Sequence, residues 1–400
     1  MGRQVVREVS FQELDAEAGL FPRSRFEMTP VWFGHGAGVR GRGRYSRFLG
    51  PRCRSVAAGR YAIGLAMKGA GVGAGDRVLL PAYHCGSMVE PALWLGAEVE
   101  FYHLRNDLQV DLRDLSARLR KGAKAVLATR YFGFPHGLSG VRPLCDEHGA
   151  VLIEDCAHSL AGDGSDDPPG WVGHFAVGST WKFCPGPDGG VVCSNAGPVN
   201  WPAMARPGLG RQARALYRVV ERAVRHVCRG SGDPGGETPD VMRVEGVETP
   251  PMARDSGESQ AGVGRSLRWF DAADARVDMT WVAKAAFRLV DFRRMAAVRR
   301  ENYRLLLERC SALGRARPLY GDLAEGVVPY AFPVLLHHPA EDFRRLKYRG
   351  MPIWRWDELA ASDCAVSQSY RHSLLQLPCH EDLRPADREW MAETLAAVLA

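Results

Sequence analysis

The stretch "GSTWKFCPGPDGG", Gly178 to Gly190, places one lysine, Lys182, between two aromatic residues and follows it with a turn-forming run of Gly, Pro and Asp. A surface lysine needs no such neighbours. A lysine used as a nucleophile needs a fixed position, partial desolvation and a backbone that lets a ligand approach. Ser179 offers a hydroxyl three residues earlier, and Gly186, Asp188, Gly189 and Gly190 read as a tight loop before "VVCSN". Taken alone, the same residues describe a solvent-facing lysine in a hairpin connection.

Working outward, short apolar runs alternate with helical patterns. "DRVLLPAY", "AEVEFYHL", "KAVLATRYF", "AVLIEDCA", "HFAVGST" and "GGVVCSN" read as strands, whereas "GRYAIGLAMKGAG", "SMVEPALWLGA" and "GVRPLCDEHG" read as helices, the first stopped by Gly71. This alternation predicts a mainly parallel sheet with helices on both faces, whose ligands bind beyond the carboxyl ends of the strands. Residues 1–52 read as an N-terminal segment, 53–285 as the large domain and 286–400 as a smaller C-terminal α/β domain. Residues 230–264, rich in Gly, Pro, Ser and Glu, read as a long loop or mobile insertion. "DMTWVAKAAFRLVDFRRMAAVRRENYRLLLERC" reads as one connecting helix, bent along its length.

Composition narrows the class. The chain has 400 residues, 46% of them hydrophobic, and a formal charge of +6 from 52 basic and 46 acidic residues. Such a length fills a substantial core, and so balanced a charge argues little about partners. Neither a signal-peptide core nor a membrane-spanning run is present, which predicts a cytoplasmic protein. Ten scattered cysteines predict reduced, buried thiols without structural disulfides. Arg211, Arg214, Arg218, Arg222, Arg225 and Arg229 fall on one helical face opposite Ala213, Leu216, Val220, Val224 and Val227, and are expected to form a solvated outer face.

Two further constellations fall at element ends. In "LIEDCAHSL" an apolar strand ends in Glu154 and Asp155, with His158 three residues on. Buried carboxylates are costly unless something cationic faces them. A metal site with Cys145 and His148 has no fourth ligand at a structural-zinc spacing. In "AAGRYAIGLA", Gly59 opens a helix whose first N–H groups make an anion site. A phosphate cradle, an anion for a ring nitrogen and a lysine amine are together what pyridoxal 5'-phosphate requires.

The order strand, EDxAH, lysine and GG resembles the DegT-type sugar aminotransferases, a family of fold type I pyridoxal-phosphate enzymes, from about Cys53 onward. The resemblance implies a three-layer fold with a mainly parallel sheet. It implies that Lys182 is the Schiff-base lysine, Asp155 the partner of the pyridinium nitrogen, His158 a contact on the phenolic-oxygen side and Ser179 a hydroxyl near the phosphate. Gly59, Arg60 and Tyr61 cover the phosphate loop, and the ring-stacking residue falls in "PAYHCGS", with Tyr83 and His84 as candidates and Cys85 the alternative. Arg60 and Tyr61 depart from the family's small hydroxyl residues, and its usual Asn-containing strand is not recognisable near "DARVDMTW". The implied activity is transfer of an amino group from an amino acid, glutamate or glutamine, to a carbonyl acceptor, a nucleotide-linked keto sugar, by a homodimer without membrane or nucleic-acid partners. A dehydratase or cyclase on the same scaffold, and a catalytically silent binding protein, are the alternatives.

Overall fold

The computed structural model describes residues 9–12, 21–32, 46–162, 168–228, 259–261, 267–356 and 358–400. In chain order the strands are β1 (Val9–Gln12), β2 (Cys53–Val56), β3 (Arg77–Pro81), β4 (Glu98–Tyr102), β5 (Ala125–Thr129), β6 (Val151–Asp155), β7 (Phe175–Ser179), β8 (Gly190–Ser194), β9 (Ser259–Ala261), β10 (Ala316–Pro318), β11 (Ala331–Leu336), β12 (Leu359–Ala360) and β13 (Leu374–Pro378). The helices are α1 (Gly59–Gly69), α2 (Gly86–Trp94), α3 (Leu112–Leu119), α4 (Leu138–Glu147), α5 (Leu209–Cys228), α6 (Trp281–Leu289), α7 (Phe292–Cys310), α8 (Pro339–Tyr348), α9 (Ala365–Ser373) and α10 (Pro385–Leu399).

Seven strands form the principal sheet in the order β2-β8-β7-β6-β5-β3-β4. Pairs β3–β4, β3–β5, β5–β6 and β6–β7 are parallel, while β8 runs antiparallel to both β2 and β7. Its strands are apolar on both faces because helices cover both: Leu79 and Val126 join one core cluster, while Val78, Leu80 and Leu127 join the other. Strands β10, β11 and β13 make an antiparallel sheet among α7 to α10, and β12, β1 and β9 make a third.

Four expectations meet differences. Most of residues 230–264 lies outside the described residues, but Ser259–Ala261 is a strand paired with β1. The long C-terminal helical pattern is two helices, because Asp291 accepts hydrogen bonds from the N–H groups of Arg293 and Arg294 and starts α7 afresh. Cys53 and Cys193 are joined in a disulfide, not free thiols. They face each other directly in the β2–β8 register, a proximity that a separation of 140 residues conceals in the sequence. On α5 the expected outer face is partly turned inward: Arg222 donates to the Thr29 carbonyl, Arg211 pairs with Asp274 and Arg225 with Glu27. The apolar flank is the open one, with Leu209 89% and Tyr217 67% exposed.

Several buried histidines are wired as neutral rings. Nδ1 of His84 donates to the Pro81 carbonyl while Nε2 accepts from the Ala360 N–H, and Nδ1 of His380 accepts from the Asp382 N–H. Burial pushes the pKa of His84 and His136 down to about 4 and that of His380 to about 3. An unfolded chain takes up these protons from about pH 6.5 downward, whereas the fold refuses them until about pH 4. Stability is therefore lost as pH falls through that window, by up to about 1.4 kcal/mol per pH unit for each histidine. Burial raises the pKa of Glu90 and Asp188, which act in the opposite sense. Urea unfolding followed from pH 7 to pH 5 should show a falling midpoint; a flat or rising midpoint would contradict the neutral, buried assignment.

Candidate active site

Strands β5, β6 and β7 end side by side, with Thr129 opposite Asp155 and Asp155 opposite Val177 in register. Alternation along β6 sends its last two carboxylates to opposite faces of the sheet. Glu154 is fully buried. Its Oε1 accepts from Nε of Arg130 at 2.5 Å and from the Gly170 N–H, and its Oε2 accepts from the N–H groups of Val172 and Gly173. That carboxylate is compensated on every side and pins the turn before β7.

Asp155 has sparser company. Its carboxylate accepts from the Ala157 N–H at 2.9 Å and faces a pocket shared with Lys182, Ser179, His158 and the start of α1. The pocket has a cavity volume of about 90 Å³ and is open to solvent. Burial raises the Asp155 pKa, opposed by the Ala157 N–H and by Lys182. Lys182 follows β7 on a single 3-10 turn, Thr180–Lys182. Its side chain is half-exposed to the cavity, yet cavity depth desolvates the amine and lowers its pKa, against the attraction of Cys85 and Asp155. Its Nζ lies 5.3 Å from the centre of the Tyr330 ring.

His158 is clasped between Tyr330, 4.4 Å away, and Phe132, 5.6 Å away, both nearly parallel to it. Its Nδ1 accepts from the Phe132 N–H at 3.4 Å, which leaves Nε2 to carry the proton. Burial first, then Lys182 and His136, push its pKa well below the usual value. At α1, Tyr61 and Ala62 donate their N–H groups to the Ala58 carbonyl, Gly59 follows a parallel bridge between Ala58 and Gly189, and the Arg60 N–H has no backbone acceptor among the described residues. A Cβ on Gly59 would lie 3.3 Å from the Ser179 Cβ, so glycine holds open the space above the helix end. Gly189, at φ +118°, passes against Thr180 where a side chain would collide with its hydroxyl. This tight passage is what the GG pair in the opening stretch permits.

The pocket thus brings together Lys182, Asp155, His158, Ser179, Gly59 and Arg60, with the Arg60 guanidinium bonded to the Trp269 carbonyl. Three other sequence candidates point elsewhere. Tyr61 packs on Phe270, His84 stacks on Phe101, and Tyr83 stacks on Trp356, whereas Cys85 of the same segment lines the pocket. Sequence reasoning passed over Thr129 and Trp356. Trp356 comes from beyond the connecting helices, and only the aromatic density of "MPIWRW" hints at it.

Residues 45–199 match the DegT/DnrJ/EryC1/StrS aminotransferase family. The chain is 34% identical over 148 residues to a GDP-perosamine synthase of Vibrio cholerae, covering 36% of this chain and 40% of the relative. It is 27% identical over 143 residues to a UDP-N-acetyl-3-dehydro-α-D-glucosamine 3-aminotransferase of Acidithiobacillus ferrooxidans, covering 34% and 38%. The chain thus spans about two fifths of the length of these curated relatives. Two solved structures extend the likeness of fold. The aminotransferase TlmJ of Streptoalloteichus hindustanus has a TM-score of 0.60 at 21% identity, over 86% of this chain and 85% of its own. A sugar aminotransferase of Micromonospora echinospora has a TM-score of 0.60 at 18% identity, over 94% and 99%. The fold is that of the fold type I pyridoxal-phosphate aminotransferases.

The two carboxylates of β6 separate in a stability measurement. Glu154→Gln should cost about 3–5 kcal/mol in urea unfolding, because the buried Arg130 guanidinium loses the charge of its ion-pair partner Glu154. Asp155→Asn should stay within about 1 kcal/mol of wild type, since the amide oxygen still accepts from Ala157. Equal losses would assign Asp155 to the framework.

Proposed function

We propose that the chain is a pyridoxal-phosphate-dependent aminotransferase that takes an amino group from an amino acid, glutamate or glutamine, and gives it to a carbonyl acceptor, a nucleotide-linked keto sugar. The supporting observation is that Lys182, Asp155, Ser179 and the open N-terminus of α1 line one pocket at the carboxyl ends of the sheet. The acceptor class rests on the family match and on the sugar nucleotides named in its curated relatives.

These residues fit the cofactor. The open N-terminus of α1 at Arg60, with the Ser179 hydroxyl, would hold the phosphate. Asp155, a buried carboxylate with one hydrogen bond and no ion pair among the described residues, would hold a protonated ring nitrogen. Bound there, pyridoxal phosphate supplies an electron sink for the bond broken at the donor's α-carbon. Lys182 moves the proton at that carbon, and burial, by lowering its pKa, favours the neutral amine that acts as the base. His158 presents Nε2–H as a fixed donor. Cys85, Trp181 and Trp356 wall the pocket beside the lysine.

In this reading residues 53–285 carry the cofactor and 286–400 the smaller domain, and the working unit is a homodimer. We place the protein in the cytoplasm, while the Cys53–Cys193 bond runs against a reducing compartment. The oxidation state of those two thiols in the cell decides between them.

Mixed with L-glutamate or L-glutamine alone, the cofactor-loaded protein should release one equivalent of keto acid and turn its cofactor into the pyridoxamine form, read by absorbance. A keto-sugar acceptor should then restore the starting spectrum. Lys182→Ala should lose the borohydride-fixable pyridoxyl label, and Asp155→Asn should bind the cofactor yet lose about 10²- to 10³-fold in turnover. If no donor converts the cofactor but a substrate loses water or ammonia, the scaffold runs an elimination instead. If no cofactor binds, the chain is a silent relative.

A further inference from the structure

Arg299 is a fully buried charge that the site description leaves unused. It lies on α7, fully buried, with its guanidinium 4.7 Å above the Phe183 ring. Nε donates to Glu381 at 2.8 Å, a carboxylate just past β13 that is itself 4% exposed. The other two nitrogens reach main-chain carbonyls. Nη1 donates to Tyr330 at 3.1 Å and Pro329 at 3.3 Å, and Nη2 donates to Lys182 at 3.5 Å.

Each of those contacts leads to the pocket. Holding the Lys182 carbonyl fixes the short turn from which the amine projects, and no other donor to that carbonyl occurs among the described residues. Holding the Tyr330 carbonyl fixes a residue whose own N–H donates to the Phe132 carbonyl at 2.8 Å. Phe132 in turn donates its N–H to His158, and it does so from a left-handed conformation, φ +58°, that a phenylalanine rarely adopts. An unbroken chain of hydrogen bonds therefore runs from one guanidinium to both the lysine and the histidine. Asn302, one helical turn further on, donates to the carbonyls of Cys379 and His380, so the segment carrying Glu381 is tied to the same helix.

We propose that Arg299, neutralised by Glu381, is a positioning residue that sets the Lys182 amine and the His158 imidazole against each other. The inference rests on Lys182 being the reacting amine. Lysine cannot replace arginine in this role, because a point charge on a flexible stem pairs with Glu381 but does not span three carbonyls in a fixed fork.

The test uses Arg299→Lys in the full-length protein. The pKa of the Lys182 amine is read without cofactor, from the pH dependence of its acetylation by brief acetic anhydride pulses and peptide mass spectrometry. Wild type should show a depressed value, and Arg299→Lys should move it about one unit back toward the ordinary lysine value of about 10.4. Turnover with the amino donor should fall about 10- to 100-fold while donor KM stays within about twofold, as expected for misplacement of a reacting group. If Arg299→Lys folds and leaves both the amine pKa and turnover unchanged, the proposal is overturned. Should that variant fail to fold, Arg299→Met/Glu381→Met removes the pair without leaving a lone buried charge, and the same pKa displacement is required of it. If wild type takes no pyridoxyl label on Lys182, the aminotransferase reading fails. The acetylation readout still decides whether Arg299 holds the amine.

Discussion

Two consecutive carboxylates at the end of a buried strand constrain everything around them. Strand alternation sends Glu154 to one face, where Arg130 and the backbone of residues 170–173 compensate it fully. Asp155 goes to the other face, with one N–H group and a desolvated lysine for company. The first arrangement makes the end of β6 rigid. The second leaves a carboxylate whose burial becomes favourable when a cation is brought to it. Framework and chemistry thus sit one residue apart because a strand has a period of two.

Much of this was legible in the sequence. Continuous apolar runs ending in turn residues marked β3, β5, β6 and β7, because strands covered on both faces cannot alternate in polarity. The clustering of Lys182, Asp155 and Gly59 was readable since each stands at the end of an element of one sheet, and parallel strands bring their carboxyl ends to one edge.

What stayed hidden depends on contacts between distant segments. The α5 periodicity was right, but periodicity cannot say which face turns inward; long arginine stems reaching Thr29 and Asp274 take the place expected of valine and leucine. Arg299 looked like any charge in an arginine-rich helix until Glu381, eighty-two positions on, came to lie beside it. Segment "PAYHCGS" fixed a neighbourhood but not a residue. His84 and Tyr83 turn into the protein, while Cys85 and Ser87 reach the cavity wall. A family pattern carries position along the chain, whereas side-chain direction belongs to the local backbone.

The Cys53–Cys193 bond has a topological meaning. It closes a ring of chain that begins at β2 and ends at β8, and Gly59, Asp155, His158, Ser179 and Lys182 all lie within that ring. Arg299, Tyr330 and Trp356 lie on the tail outside it. A pull applied to the two chain ends passes through the sulfur bridge and bypasses the ring. The tail, with the residues that brace and roof the pocket, lies in the path of that pull, while the ring keeps its lysine and its carboxylate on one closed circuit. In mechanical terms the cavity has a tethered floor and a detachable lining.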